Sequence, residues 1–148
     1  AAVAAPGPDG ATVFAENCAV CHALPILGSL LEQNRGRPPG FVYDALTVGM
    51  MAVGAKGVIS VASNVLPGAV AGVCRAMLKH DYAEARRRQN ALLPLYDAMF
   101  VETNPGPVKA ALAVMGRIAP EIRLPLAWAS EATVQKVTTA LRDAGVDV

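Results

Sequence analysis

The sequence has few aromatic residues, few cysteines and no long apolar run. Phe, Trp and Tyr make up 5% of its 148 residues, so the core must be built mainly from small aliphatic side chains. No window reaches the roughly 18 consecutive apolar residues that a membrane-spanning helix needs, and we expect no membrane span. Three cysteines do not suggest a disulfide scaffold. The formal net charge of +1 gives no indication of a nucleic-acid partner.

The periodicity of apolar residues and the helix-capping residues predict a mainly α protein with about six helices and one β-strand. A β-branched run bounded by glycine, residues 57–61, predicts a buried strand. Because a lone strand has no hydrogen-bond partners, we expect its neighbours to come from elsewhere. The predicted helices cover residues 10–17, 41–50, 67–80, 81–100 (N-capped by Asp81, and kinked or ended by Pro94), 107–117 and 130–145 (with Gly145 as the C-terminal cap).

The first chemical motif is Cys18-Ala19-Val20-Cys21-His22. Two thiols at this spacing can form thioether links to one porphyrin edge, and the following imidazole can bind the iron, so the motif predicts a covalently attached haem c. The alternatives are half of a zinc site or a chance pair of cysteines. A zinc site would need further ligands, and only His80 and Cys74 remain, far along the chain.

Residues 9–23, and the later stretch 37–51, resemble small bacterial class I c-type cytochromes. The resemblance implies an electron carrier with a redox partner, in which His22 is the proximal iron ligand. It also implies Met51 as the second axial ligand, with Met50 as its rival; plain core packing is the alternative for either methionine. After Met51 the sequence departs from the cytochrome pattern, where a closing helix should begin.

A second resemblance begins with GAKGVISVASNV at 54–65, continues with MFVETNPGPVK at 99–109, and ends with RLPL at 123–126. These stretches resemble, in order, the last barrel strand and the helical C-terminal domain of the dihydrodipicolinate synthase family. One departure is Gly106, where the family usually has a bulkier residue. The resemblance implies a (β/α)₈ barrel followed by helices.

That family condenses pyruvate with aspartate semialdehyde, on the route to lysine, through a Schiff base on a lysine. The resemblance implies that Ile59 borders the active site through its backbone. No position here matches the family's catalytic lysine or its proton-relaying tyrosine. The lysines of this chain are Lys56, Lys79, Lys109 and Lys136.

Two segments are therefore predicted, residues 1–52 as a partial cytochrome-like segment and residues 53–148 as the last barrel strand and C-terminal helices. The function expected is that of a chimeric or truncated aldolase chain that is inactive alone. The alternatives are a haem electron carrier and a helical oligomerisation module that forms a homo-oligomer through its C-terminal helices. An aldolase-like chain would be cytoplasmic, whereas covalent haem attachment would place it in the periplasm.

The haem interpretation has a direct spectroscopic test. After export to the periplasm of a host carrying the haem-attachment machinery, the purified chain should show the pyridine haemochrome band of haem c. The Cys18→Ala/Cys21→Ala double variant, which lacks both thioether partners, should show none. Absence of the band from the unsubstituted chain would remove this interpretation.

Overall fold

The computed structural model describes Gly36 and residues 39–148, and all regular secondary structure within this part of the chain is helical. No helix in these ranges combines the length and apolarity needed to cross a membrane. The elements are α1 (Pro39–Ala45), α2 (Thr47–Ala52), a 3₁₀ turn (Ala62–Asn64), α3 (Pro67–Leu78), α4 (Tyr82–Ala98), α5 (Gly106–Val114) and α6 (Glu131–Asp143).

Helices α3 and α4 form a hairpin. Residues in its turn hydrogen-bond to backbone groups at the end of α3 and at the start of α4. His80 adopts a left-handed conformation (φ 61°) just past α3. Its N–H donates to the Met77 carbonyl at 2.9 Å, and the N–H of Asp81 donates to the Ala76 carbonyl at 3.0 Å, the Schellman arrangement. The Asp81 side chain then caps α4 by accepting from the Glu84 N–H at 3.1 Å. The prediction of Asp81 as an N-cap is confirmed.

Helix α6 is fixed at both ends as well. The Ser130 hydroxyl accepts from the Thr133 N–H, and both of these side chains donate to one oxygen of Glu102 in the loop after α4. These hydrogen bonds, led by the one from Ser130, lower the pKa of Glu102. At the other end Gly145 has φ 82° and its N–H donates to the Arg142 carbonyl, which confirms its predicted role as the C-terminal cap.

The main core lies where α3, α4, α5 and α6 meet. Its largest fully buried side chains are Tyr96, Leu95 and Met99, all at or just after the C-terminal half of α4. Pro94 lies inside α4, but the helix continues past it to Ala98, so this proline does not end the helix. The remaining buried core residues are Phe41, Val42, Ala62, Val65, Val70, Val73, Leu92, Ala98, Val108, Ala111, Val137, Ala140 and Leu141.

Two short helices occupy the range 41–50 that was predicted as one. The break falls at Leu46, after which the Thr47 hydroxyl donates to the carbonyls of Tyr43 and Asp44 at 3.1 Å each. The Gln89 amide of α4 donates to the carbonyls of Asp44 and Ala45 at 2.8 Å each. Side chains thus bond the carbonyls at the end of α1, where the regular helix stops.

The predicted strand is absent from the described residues. Residues 55–61 form neither helix nor strand, and the 3₁₀ turn begins at Ala62. A strand requires a second strand to pair with its backbone groups, and none is present in 39–148 to serve as one. Burial still alternates, since Val58 is partly buried, Ile59 is fully exposed and Ser60 is buried.

Leu95 and Leu93 provide a matched test of this packing. Leu95 is 1% exposed in the core and Leu93, on the same helix, is 38% exposed. We expect Leu95→Ala to lower the free energy of unfolding by about 2–5 kcal/mol, because it leaves a buried cavity. Leu93→Ala should lower it by less than about 1 kcal/mol. Urea denaturation of both variants measures the difference, and equal losses would contradict this arrangement of the core.

Candidate functional site

The candidate site is the junction between α1 and the segment that follows α2, here called the Asp44 junction and formed by Asp44, Ser60, Val61, Ala62 and Gln89. Asp44 is fully buried although it is a carboxylic acid. Its Oδ2 accepts from the Ala62 N–H at 3.4 Å, and interactions with the Ser60 side chain and the Val61 backbone act to lower the pKa of the carboxyl group. One side chain from α1 therefore contacts a segment that lies up to eighteen positions away in the sequence.

The segment held by Asp44 also stabilises itself. The Ser63 N–H donates to the Ser60 hydroxyl at 3.1 Å, and the Ser63 hydroxyl donates back to the Ser60 carbonyl at 2.6 Å. The Asn64 amide donates to the Val61 carbonyl at 3.0 Å. These local bonds build the 3₁₀ turn, while Ile59, which directly precedes Ser60, is fully exposed.

Gln89 of α4 hydrogen-bonds to the Asp44 junction. Its role was not predicted from the sequence. Its amide nitrogen bonds the carbonyls of Asp44 and Ala45, while its own side chain is buried. The signal for it was present, because Ala85, Gln89, Leu92 and Tyr96 recur at the spacing of one helix face and all are buried. A polar residue within an apolar stripe indicates a buried hydrogen-bonding role.

Titratable groups cluster around this junction. Burial raises the pKa of the Asp44 carboxyl, and the hydrogen bond from Ser60 only partly opposes that rise. Tyr96 of α4 is buried, and burial together with the Asp44 charge and Cys74 raises the pKa of its hydroxyl. Burial likewise raises the pKa of the Cys74 thiol on α3, opposed by a hydrogen bond from the Val58 backbone. The junction thus favours neutral forms of all three groups.

The residues predicted to bind haem are only partly within the described ranges. Cys18, Cys21 and His22 lie outside them. Met51 is buried against Ala76, Met77 and Ala85, at the contact of α2 with α3 and α4, and Met50 is also buried. Within Gly36 and 39–148 no three His, Cys, Asp or Glu side chains form a group that could hold a metal ion. The haem ligands therefore remain a prediction.

A separate charged cleft of about 220 Å³ lies between α3 and α4, and it does not include the Asp44 junction. Glu84 forms ion pairs of 2.7 Å with Arg87 and with Arg88. The hydrogen bond from Arg87 is the main cause that lowers the pKa of Glu84 to about 2. The cleft is lined by Gly72, Arg75, Ala76, Lys79, Asp81, Glu84 and Arg88, so its charges are mixed. Two of the three consecutive arginines at 86–88 on α4 are thus engaged in ion pairs.

Comparison with known proteins links the described residues to one family. A family model described as the dihydrodipicolinate synthetase family matches residues 38–144. A 4-hydroxy-tetrahydrodipicolinate synthase from Sorangium cellulosum is 54% identical over 99 residues, which are 67% of this chain and 33% of that protein. The enzyme of the same name from Koribacter versatilis is 46% identical over 132 residues, 86% of this chain and 44% of that protein.

Solved structures agree with this match. The crystal structure of dihydrodipicolinate synthase from Thermotoga maritima superposes with a TM-score of 0.68 at 40% identity, covering 80% of this chain and 41% of the other. The chain thus spans less than half the length of these similar proteins. These matches lend no support to a cytochrome-like part, and the predicted boundary between residues 52 and 53 remains a prediction.

The raised pKa of Asp44 predicts the direction in which the stability of the fold changes with pH. A carboxyl whose pKa is higher in the folded state contributes stability below its unfolded pKa of about 4, and loses that contribution as pH rises through the folded pKa. Since Asp44→Asn is neutral at every pH, its melting temperature should rise relative to the unsubstituted chain between pH 4 and pH 8.

Glu84→Gln is the control of opposite sign. The pKa of Glu84 is lowered, so its contribution is lost only as pH falls from about 4.5 toward about 2. The melting temperature of Glu84→Gln relative to the unsubstituted chain should therefore stay constant from pH 5 to pH 8. A constant difference for Asp44→Asn over its own range would show that the buried carboxyl does not titrate as described.

Proposed function

This chain belongs to the dihydrodipicolinate synthetase family, and from that premise we propose that it supplies the last barrel strand and the C-terminal helices of a Schiff-base aldolase. In the assembled enzyme, pyruvate would form a Schiff base with a lysine and then condense with aspartate semialdehyde. The chain alone would not catalyse this reaction. Residues 57–61 would act as a strand only beside the preceding strands of a barrel.

The exposure of Ile59 is the observation that best supports this proposal. It is a large apolar side chain that is fully exposed, between neighbours that are at least partly buried. Its backbone has no strand partner in the described residues, although the β-branched sequence around it favours a strand. Neighbouring barrel strands would pair with this backbone and cover the side of the segment that faces solvent here.

The chemistry requires a lysine amine, and no position of this sequence matches the family's catalytic lysine. In a Schiff base, a lysine nitrogen attacks the keto carbon, water leaves, and the resulting iminium makes the adjacent methyl group acidic. Lys136 is in an ion pair with Asp97 at 2.7 Å, on the far helix α6. Lys56 is exposed and precedes Ile59, at the end of the predicted strand opposite to where barrel chemistry takes place.

A haem-binding electron carrier remains the second candidate, favoured by Cys18, Cys21 and His22. If Met51 served as the axial ligand, its sulfur would have to leave the apolar contact it makes with Met77 and Ala85. That rearrangement would disturb the packing of α2 on α3 and α4. A homo-oligomer formed through the C-terminal helices also remains a prediction; in this chain α5 and α6 pack on each other and α6 packs on α4.

Trapping with borohydride tests the aldolase proposal. Incubation with pyruvate and borohydride, which reduces an iminium to a stable secondary amine, should leave the mass of this chain unchanged. A full-length synthase of the family, treated in parallel, should gain one pyruvate-derived adduct per chain. A stoichiometric adduct on this chain alone, mapped by peptide mass analysis to any of its lysines, would overturn the proposal.

A further inference from the structure

The Asp44 carboxyl connects α1 to the residues that directly follow Ile59. Its Oδ2 accepts from the Ala62 N–H, and the carboxyl group also interacts with the Ser60 side chain and the Val61 backbone, so it fixes the start of the 3₁₀ turn. The backbone of Ile59 has no strand to hold it in the described residues, and it is joined covalently to Ser60. Its position therefore depends on what fixes Ser60.

Gln89 fixes Asp44 in turn. It bonds the Asp44 carbonyl from α4 at 2.8 Å, so the side chain that holds the segment is itself attached to the main helical hairpin. This chain of contacts runs from α4 through Asp44 to Ser60 without involving solvent-exposed side chains. Oδ1 of Asp44 and Oε1 of Gln89 are buried and have no hydrogen-bond partner among the described residues.

Those two unpaired acceptors weigh against a role in stability alone. A buried acceptor without a partner lowers stability, and a carboxyl group is a poor choice where only the bonds to Ser60 and Ala62 are needed. What the carboxyl provides is one buried acceptor, Oδ2, that fixes the Ala62 N–H three residues after Ile59. This matches a requirement for fixed local geometry next to Ile59.

We propose that Asp44 is a positioning residue, which sets the backbone conformation at Ile59 through its hydrogen bond to Ala62 and its interactions with Ser60 and Val61, with Gln89 as its support. This inference rests on the proposed function, in which the Ile59 backbone forms part of the wall of a keto-acid site. Asp44 does not touch the substrate. Its effect is to fix the conformation of the Ile59 backbone before the remaining barrel strands pair with it.

Amide hydrogen exchange measured by NMR tests the inference without any need for activity. In Asp44→Leu the Ala62 N–H loses its acceptor, so its exchange should become about tenfold faster relative to the Val134 amide, which lies in the first turn of α6. The amide resonances of Ile59 and Ser60 should shift in the same variant. Asp44→Asn retains an acceptor oxygen and should restore both the slow exchange and the resonance positions.

Val73→Ala is the matched control, because Val73 is fully buried in the core and has no side-chain group that hydrogen-bonds to Asp44. It should accelerate the exchange of Ala62 and Val134 alike and leave their ratio unchanged. If Asp44→Leu does not fold, Ser60→Ala removes one bond to the carboxyl and should give a smaller change in the same ratio.

An unchanged Ala62 exchange ratio in a folded Asp44→Leu or Ser60→Ala variant would overturn the inference. So would Asp44→Asn behaving like Asp44→Leu. Failure of the proposed function would instead be seen as a pyruvate adduct on this chain, and it would leave these exchange ratios unaffected.

Discussion

Backbone groups buried without water must find hydrogen-bond partners, and this constraint explains the arrangement around residues 57–62. In a sheet, neighbouring strands would supply those partners. Here the Asp44 carboxyl accepts from the Ala62 N–H, and serine side chains close the turn that follows. The segment is therefore held at one end by side chains from α1 and from itself, while Ile59 has no neighbouring strand among residues 39–148.

The helices could be predicted from the sequence because their signals are local. Asp81 and Ser130 accept from the N–H three residues on, and Gly145 adopts a left-handed conformation after α6; each interaction spans only a few residues. The boundary within 39–52 could not be predicted, because it coincides with bonds from Gln89, more than forty residues away. The strand predicted at 57–61 is not formed in the described residues for a similar reason, because strand pairing depends on residues distant in sequence.

Only part of the candidate site could likewise be predicted from the sequence. The family resemblance identified Ile59 and the absence of a matching lysine, because both depend on the order of residues along the chain. It gave no role to Asp44, which lies in the stretch 37–51 that resembles the cytochromes. Only the folded chain brings Asp44 beside Ala62 and Tyr96. Its buried carboxyl is a tertiary feature, and the helical spacing of Gln89 was the one sequence signal that pointed to it.

In the proposed role, a barrel segment that pairs with further strands would face two opposing requirements. Its edge would have to stay open for pairing, yet an open edge is free to adopt many conformations. Fixing only the residues after Ile59 would meet both requirements, because the backbone of Ile59 itself has no strand partner in the described residues. The Asp44 carboxyl, on a residue whose carbonyl is bonded to Gln89 of α4, would transmit the rigidity of the helical core to this edge. The conformational entropy that strand pairing must overcome would then be reduced before pairing begins.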